Sequence, residues 1–250
     1  MQEISIIQAE ERLAAYVFLP EDRFNYFLII SHGFRGTKEN GGKIFDFAQR
    51  LNALGFAVLA FDFSGSGNSD GNFDDVSLSR QAKDLKAVMA YVNDKYHLPL
   101  ILLGRSFGGS TVLAAGAGDE RVAAYVFWST PVRLQETFKT ILGDEDREKI
   151  ARGESISIRD DAGVYQIKPA LFNDFAVHRM GEYMGSIKDR PVLIVHGLAD
   201  EVVDPANARE LYSKLTNAEL VLVENADHRF VNKYREREEI TIQWLQANFA

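Results

Sequence analysis

Short, unbroken apolar runs recur along this chain at residues 26–30, 56–61, 98–103, 122–127, 192–195 and 220–223. Runs this short and this continuous suit strands buried on both faces, as in a parallel sheet sandwiched by helices. The segments between them are helical in pattern. Ala82, Leu85, Val88, Met89 and Val92 recur at three- and four-residue spacing, with Lys83, Asp84, Lys86 and Asn93 opposite. Ile44, Phe47, Ala48, Leu51 and Leu54 do the same and stop at Gly55, a residue suited to a helix C-terminus. Strands alternating with helices of this length predict parallel strands joined by crossovers, a doubly wound α/β sheet.

The beginning of the chain departs from that rhythm. Ile4 and Ile6, then Leu13 and residues 16–19, flank the polar stretch 8–12 and predict an N-terminal antiparallel hairpin. A second departure spans residues 131–190, where a charged stretch (143–154) and an apolar, aromatic one (165–184) show no clean strand–helix order. Some 60 residues is roughly ten times an ordinary connection, so this segment is expected to be an inserted lid. The expected division is thus a core of residues 1–130 and 191–250 with a lid at 131–190.

The run at 98–103 leads into Gly104-Arg105-Ser106-Phe107-Gly108-Gly109, after which Ser110 to Ala115 begin a helical pattern. Strand, G-x-S-x-G, helix is the context of a nucleophile elbow. A sharp turn lifts the serine above the sheet, and glycines at 104 and 108 leave room for strand and helix to meet. The serine hydroxyl then needs a base, and the base an orienting acid. Asp200 lies just beyond the run at 192–195, and His228 follows the run at 220–223. Chain order Ser106, Asp200, His228 is the order expected on such a sheet. His32 and His196 each precede a glycine at a strand end, where a structural hydrogen bond is the expected use. Asp204, just before Pro205, is a rival acid whose position better suits capping the next helix. Asp227 adjoins the base in sequence and is badly placed to reach its ring. Oxyanion donors are expected from the backbone N–H groups of Phe34, after the 26–30 run, and of Phe107, after the nucleophile.

Composition narrows the partners. Lys and Arg number 28 against 36 Asp and Glu, a net charge of −8, which disfavours nucleic acid and anionic membrane surfaces. The absence of cysteine excludes disulfides, thiolate nucleophiles and Cys-ligated metal sites. No metal is expected, since neither H-E-x-x-H nor a comparable His/Asp cluster occurs. Gly65-Ser-Gly-Asn-Ser-Asp70 places Asp where a dinucleotide fingerprint needs a small residue, and 33–38 lacks Walker spacing, so no cofactor is expected. The N-terminus shows no basic start followed by an apolar run, and no stretch approaches the roughly 20 apolar residues of a membrane-spanning helix. The expected location is cytoplasmic. Homodimerisation through the lid or an edge strand is left open.

These motifs carry a resemblance. His32-Gly33-Phe34, Phe61-Asp-Phe-Ser-Gly-Ser-Gly-Asn-Ser-Asp-Gly71, the 104–109 elbow, His196 to Asp200 and Ala226-Asp227-His228 are similar to those of the α/β-hydrolase superfamily, and within it of small bacterial feruloyl and cinnamoyl esterases. The resemblance implies an α/β-hydrolase fold with a short lid and cofactor-free hydrolysis of small aromatic or aliphatic esters. It also implies a Ser106–His228–Asp200 triad with Phe34 and Phe107 at the oxyanion. Two departures stand out. The residues flanking the nucleophile are often His before it and Gln or Met after it in these relatives, and here they are Arg105 and Phe107. The lid carries no motif of theirs, so Tyr165, Gln166, Phe172 and Phe175 are candidate pocket residues on aromatic and polar character alone.

The expected function is therefore a serine carboxylic-ester hydrolase acting through an acyl-enzyme on hydroxycinnamoyl or short acyl esters. A thioesterase, a monoglyceride lipase and an aminopeptidase share this core and are alternatives. A ligand-sensing protein that keeps the fold without turnover is a reading of a different class.

Overall fold

The computed structural model describes residues 1–160 and 163–249, so positions 161 and 162 of the expected lid lie outside the described residues. Along the chain run β1 (Gln2–Gln8), β2 (Glu11–Phe18), β3 (Tyr26–Ser31), α1 (Lys43–Asn52), β4 (Phe56–Phe61), α2 (Leu78–Tyr96), β5 (Leu100–Arg105), α3 (Phe107–Gly116) and β6 (Val122–Trp128). Then come α4 (Leu134–Thr140), α5 (Asp144–Ala151), β7 (Ile156–Asp160), β8 (Gly163–Ile167), α6 (Pro169–Val177) and α7 (Met180–Ser186). The chain closes with β9 (Val192–Gly197), α8 (Ala206–Ser213), β10 (Ala218–Val223) and α9 (Tyr234–Phe249).

The main sheet has the order β1-β2-β4-β3-β5-β6-β9-β10. β1 and β2 form the expected antiparallel hairpin, and β2 joins β4 antiparallel. From β4 onward every pairing is parallel. The chain leaves β3 toward β4 on one side, then returns to place β5 on the other. Helices that cross over in opposite directions leave a crevice at the carboxyl ends of β3 and β5, the switch point where ligands bind in open α/β sheets.

Two apolar layers hold the sheet. Residues of alternate parity along each strand pack into one or the other, as the two-residue strand period requires. Leu100 and Leu102 of β5, with Tyr125 and Phe127 of β6, face the layer under α2, α3 and the 131–190 segment. Ile101, Leu103, Val126 and Trp128 face the layer under α1 and α9. β4 is buried at every position, which accounts for its unbroken apolar sequence. β10 is not; it is an edge strand and only Val223 is buried, so its apolar run marks one covered face rather than two.

The boundaries of the helices follow their caps. Ser77 accepts from Arg80 N–H at the start of α2, and His97 closes it in a left-handed conformation. The segment between β6 and β9, which shows no strand–helix order in sequence, is ordered as two helices, a hairpin and two helices. The periodicity failed there for physical reasons. α5 buries no residue, and the hairpin is a five-residue ribbon on each side. The segment is tied back to the core. Gln166 N–H donates to Asp74 Oδ1 at 3.0 Å, Lys168 Nζ meets Asp75 Oδ1 at 2.6 Å, and Met180 and Met184 of α7 join the core layer.

Candidate active site

Ser106 sits between β5 and α3 with φ 51° and ψ −126°. A non-glycine residue there is strained, by about 1–3 kcal/mol. Its surroundings enforce the conformation. Ser106 N–H donates to Trp128 O at 2.7 Å, and Gly109 N–H returns to Ser106 O at 2.8 Å. The flanking glycines are required by close approach: a Cβ at Gly104 would stand 2.4 Å from Gly109 Cα, and one at Gly108 would stand 2.3 Å from His32 O.

Three loops converge on that hydroxyl. Ser106 Oγ lies 3.1 Å from His228 Nε2, and His228 Nδ1 lies 2.9 Å and 3.0 Å from the two carboxylate oxygens of Asp200. Asp200 Oδ1 also accepts the N–H groups of Val202 and Val203, at 3.0 Å and 2.8 Å. Burial alone would raise the Asp200 pKa. Hydrogen bonds from His196, His228 and Val203 overcome it and hold the carboxyl well below the usual carboxylate range. Asp200 is thus an anion throughout the neutral range, facing His228 Nδ1.

The loop after β3 supplies the other wall. Gly33 O accepts from Gly36 N–H at 2.9 Å and stands 2.8 Å from His32 Nδ1. A planar trans peptide whose oxygen is held that way must turn the Phe34 N–H to the opposite side. Gly33 itself packs on Ser106, since a Cβ there would stand 3.1 Å from Ser106 Cβ. Phe107 is the first residue of α3, whose leading N–H groups have no partner within the helix. The loop that carries Phe34 and the first turn of α3 that carries Phe107 thus both adjoin Ser106. The loop is anchored by Lys38, whose N–H and Nζ reach the two oxygens of buried Asp62 at 2.7 Å and 2.8 Å.

The remaining assignments fall out on geometry. His32 Nε2 accepts from Phe63 N–H at 3.1 Å, and His196 Nε2 lies 2.8 Å from Val203 O, so both hold backbone. Asp204 accepts the Ala206 N–H at the start of α8, and Asp227 accepts that of Val231. Of the four candidate pocket residues, only Tyr165 lines the cavity at Ser106, which is about 620 Å³. Gln166 is exposed and its N–H is spent on Asp74. Phe175 is buried beneath the wall and Phe172 packs on it at 5.9 Å between ring centroids. Residues that the sequence reading missed take their places. Thr137, Phe138 and Ile141 line the cavity, and Phe138 stacks edge-on to Phe34 at 5.3 Å and to Phe107 at 5.5 Å. The signal was present as Leu134, Phe138 and Ile141 at helical spacing. Among the described residues no His/Cys/Asp/Glu group could hold a metal ion, and no helix is long and apolar enough to cross a membrane.

Comparison with known proteins agrees with this architecture. The family model described as serine aminopeptidase, S33 matches residues 25–147. The mitochondrial palmitoyl-protein thioesterase ABHD10 of Bos taurus is 30% identical over 200 residues, covering 78% of this chain, and the chain spans only 64% of that protein's length. A monoacylglycerol lipase of Mycolicibacterium smegmatis is 26% identical over 235 residues, covering 84% of this chain and 83% of the lipase. Among solved structures, Est1E from Butyrivibrio proteoclasticus with bound ferulic acid superposes with a TM-score of 0.86 at 24% identity, covering 98% of both chains. Sheet order, family match and superposition together give this chain an α/β-hydrolase fold of the serine-hydrolase type, similar to that of Est1E.

Proposed function

We propose that this chain is a cytoplasmic serine carboxylic-ester hydrolase acting on small aromatic, hydroxycinnamoyl-type or short acyl esters. The observation that carries the reading is the continuous relay from Ser106 Oγ through His228 to Asp200, at 3.1 Å and 2.9 Å, opening on an aromatic-walled cavity.

In this mechanism His228 Nε2 takes the Ser106 proton as Oγ attacks the ester carbonyl. The Phe34 and Phe107 N–H groups receive the oxyanion, each worth about 2.7–4 kcal/mol of barrier in comparable sites. His228 then protonates the leaving alcohol, and water enters along the same route to release the acid. Asp200 holds the ring and stabilises its cationic form. The segment 131–190 acts as the lid: Phe138 and Tyr165 come from it, and with Phe34 they present ring faces and edges suited to a planar acyl group.

The thioester is a second reading, favoured by the likeness to the palmitoyl-protein thioesterase. One experiment separates the two. Intact mass after a fluorophosphonate probe should show a single adduct that Ser106→Ala abolishes. Rates should then be compared on acetyl-to-octanoyl nitrophenyl esters, methyl ferulate and a palmitoyl thioester. Faster cleavage of ferulate supports the aromatic-ester reading, and faster cleavage of the thioester replaces it. No adduct and no turnover would overturn both in favour of a ligand-sensing protein.

A further inference from the structure

Arg105 immediately precedes the nucleophile, and the relay has no use for it. By strand parity its side chain follows Ile101 and Leu103 onto the α1/α9 face of the sheet, away from the aromatic wall. There it lines the same cavity as Ser106, together with Asn40, Lys43, Trp128, Arg229 and Glu238. Its Nη1 donates to Asn40 Oδ1 at 2.7 Å, and its Nε is buried with no partner. No carboxylate pairs with Arg105, Lys43 or Arg229 among the described residues. Two carboxylates stand nearby and offset part of the charge on Arg237: Glu238, whose Oε2 lies 3.5 Å from Arg50 without a hydrogen bond, and Asp227, which accepts the Val231 N–H.

A second guanidinium adds to the positive charge. Arg237 is fully buried, stacked 4.1 Å over Trp128 and 4.9 Å over Phe230, with its Nε and Nη1 unpartnered. Burial, with Arg105 close by, pushes its pKa down to about 9. Burial and Arg229 push that of Arg105 down likewise. Crowded, desolvated cations beside an open cavity are unfavourable unless an anion enters between them.

The recess also lies on a chemically defined side of the serine. Its wall includes His228 and Arg229, and a departing alcohol must receive its proton from His228 Nε2, so it leaves toward this side. The acyl group is left facing Phe34, Phe138 and Tyr165. Resting on the ester-hydrolase reading, we infer that the Arg105 recess binds a carboxylate carried by the leaving-group half of the substrate, making this an enzyme for esters of hydroxy acids. Arg105 is then the specificity-determining residue, a fork-shaped donor suited to a planar carboxylate.

The test compares 3-acetoxybenzoate, whose leaving group is an anionic phenol, with its neutral methyl ester. Wild-type kcat/KM is expected to favour the anionic ester by about tenfold or more, the scale of a charge-assisted hydrogen bond. Arg105→Gln should collapse that ratio, and Arg105→Lys, which keeps the charge without the fork, should restore part of it. In Ser106→Ala, which removes the chemistry, 3-hydroxybenzoate should raise Tm, and the added Arg105→Gln change should abolish the shift. Equal kcat/KM for the two esters, or a ratio unchanged in Arg105→Gln, would overturn the inference while leaving the hydrolase intact. Absence of turnover on both esters together with no fluorophosphonate adduct on Ser106 would sink the hydrolase reading instead. The thermal shift by 3-hydroxybenzoate and its dependence on Arg105 would then decide the recess.

Discussion

His196 Nε2 lies 3.2 Å from Asp200 Oδ2, the same oxygen that stands 2.9 Å from His228 Nδ1. The acid is thus gripped from both ends of one oxygen. His196 is fully buried in β9, its Nδ1 has no partner, and its Nε2 proton is shared between Asp200 and Val203 O. Replacing it with Phe keeps a ring but removes the donor. A hydrogen bond to a charged group is worth about 1.5–3 kcal/mol, so kcat should fall roughly tenfold or more in steady-state assays of His196→Phe. A variant with wild-type kcat would show that Val202, Val203 and His228 orient the carboxylate by themselves.

Backbone strain at the nucleophile predicts a stability gain on its removal. With φ at 51°, Ser106→Gly relieves a conformation that glycine adopts freely, and the change should raise stability by about 1 kcal/mol. For a chain of this size that is an increase in Tm of roughly 2–4 °C by calorimetry. Ser106→Ala keeps the strain and should show little of it. Both should lose turnover.

The oxyanion wall is sensitive to a single methyl. In Gly33→Ala the new Cβ stands 3.1 Å from Ser106 Cβ and 3.2 Å from Arg105 O, so serine and loop must part by a few tenths of an ångström. Because the Phe34 N–H moves with that peptide, kcat should fall about tenfold or more with KM little changed. A change confined to KM would point to a blocked pocket.

Buried Asp84 predicts a pH dependence of stability. Burial raises its pKa from 3.8 to about 6 against the opposing hydrogen bonds of Ser64 N–H and Oγ. The folded protein therefore keeps this proton where the unfolded chain has lost it. Stability from this group is full below about pH 4 and falls as pH rises through about 6, by about 3 kcal/mol in all. Asp84→Asn does not titrate, so its Tm relative to wild type should climb between pH 4 and pH 7. A constant difference across that range would assign the Asp84 carboxylate to its ionised form in the fold.

The sheet and the grouping of Ser106, His228 and Asp200 were legible because both are written in local sequence. Continuous apolar runs named the strands, and Gly104, Ser106 and Gly108 named the turn that only strand-to-helix geometry demands. Strand ends then located Asp200 and His228. The cavity wall was harder to read because α4, which carries Thr137 and Phe138, is only seven residues long and gives a two-turn apolar period, and the short β7–β8 hairpin gives none. Gln166 shows the cost. Its residue type suited a pocket, but its backbone is committed to Asp74 across 92 positions of sequence, a pairing no local pattern encodes. Arg105 was visible as a departure from related motifs, but its facing came only from the parity of β5.

Ser106 and His228 are 122 positions apart in sequence. They meet only after β5, β9 and β10 have all found their places in one parallel sheet, the kind of non-local pairing that forms slowly. Partly folded forms that already hold the N-terminal hairpin and the elbow would carry the serine without its partner. Recovery of enzymatic rate during refolding should therefore lag behind recovery of helical circular dichroism, making turnover a clock for the last strand to dock.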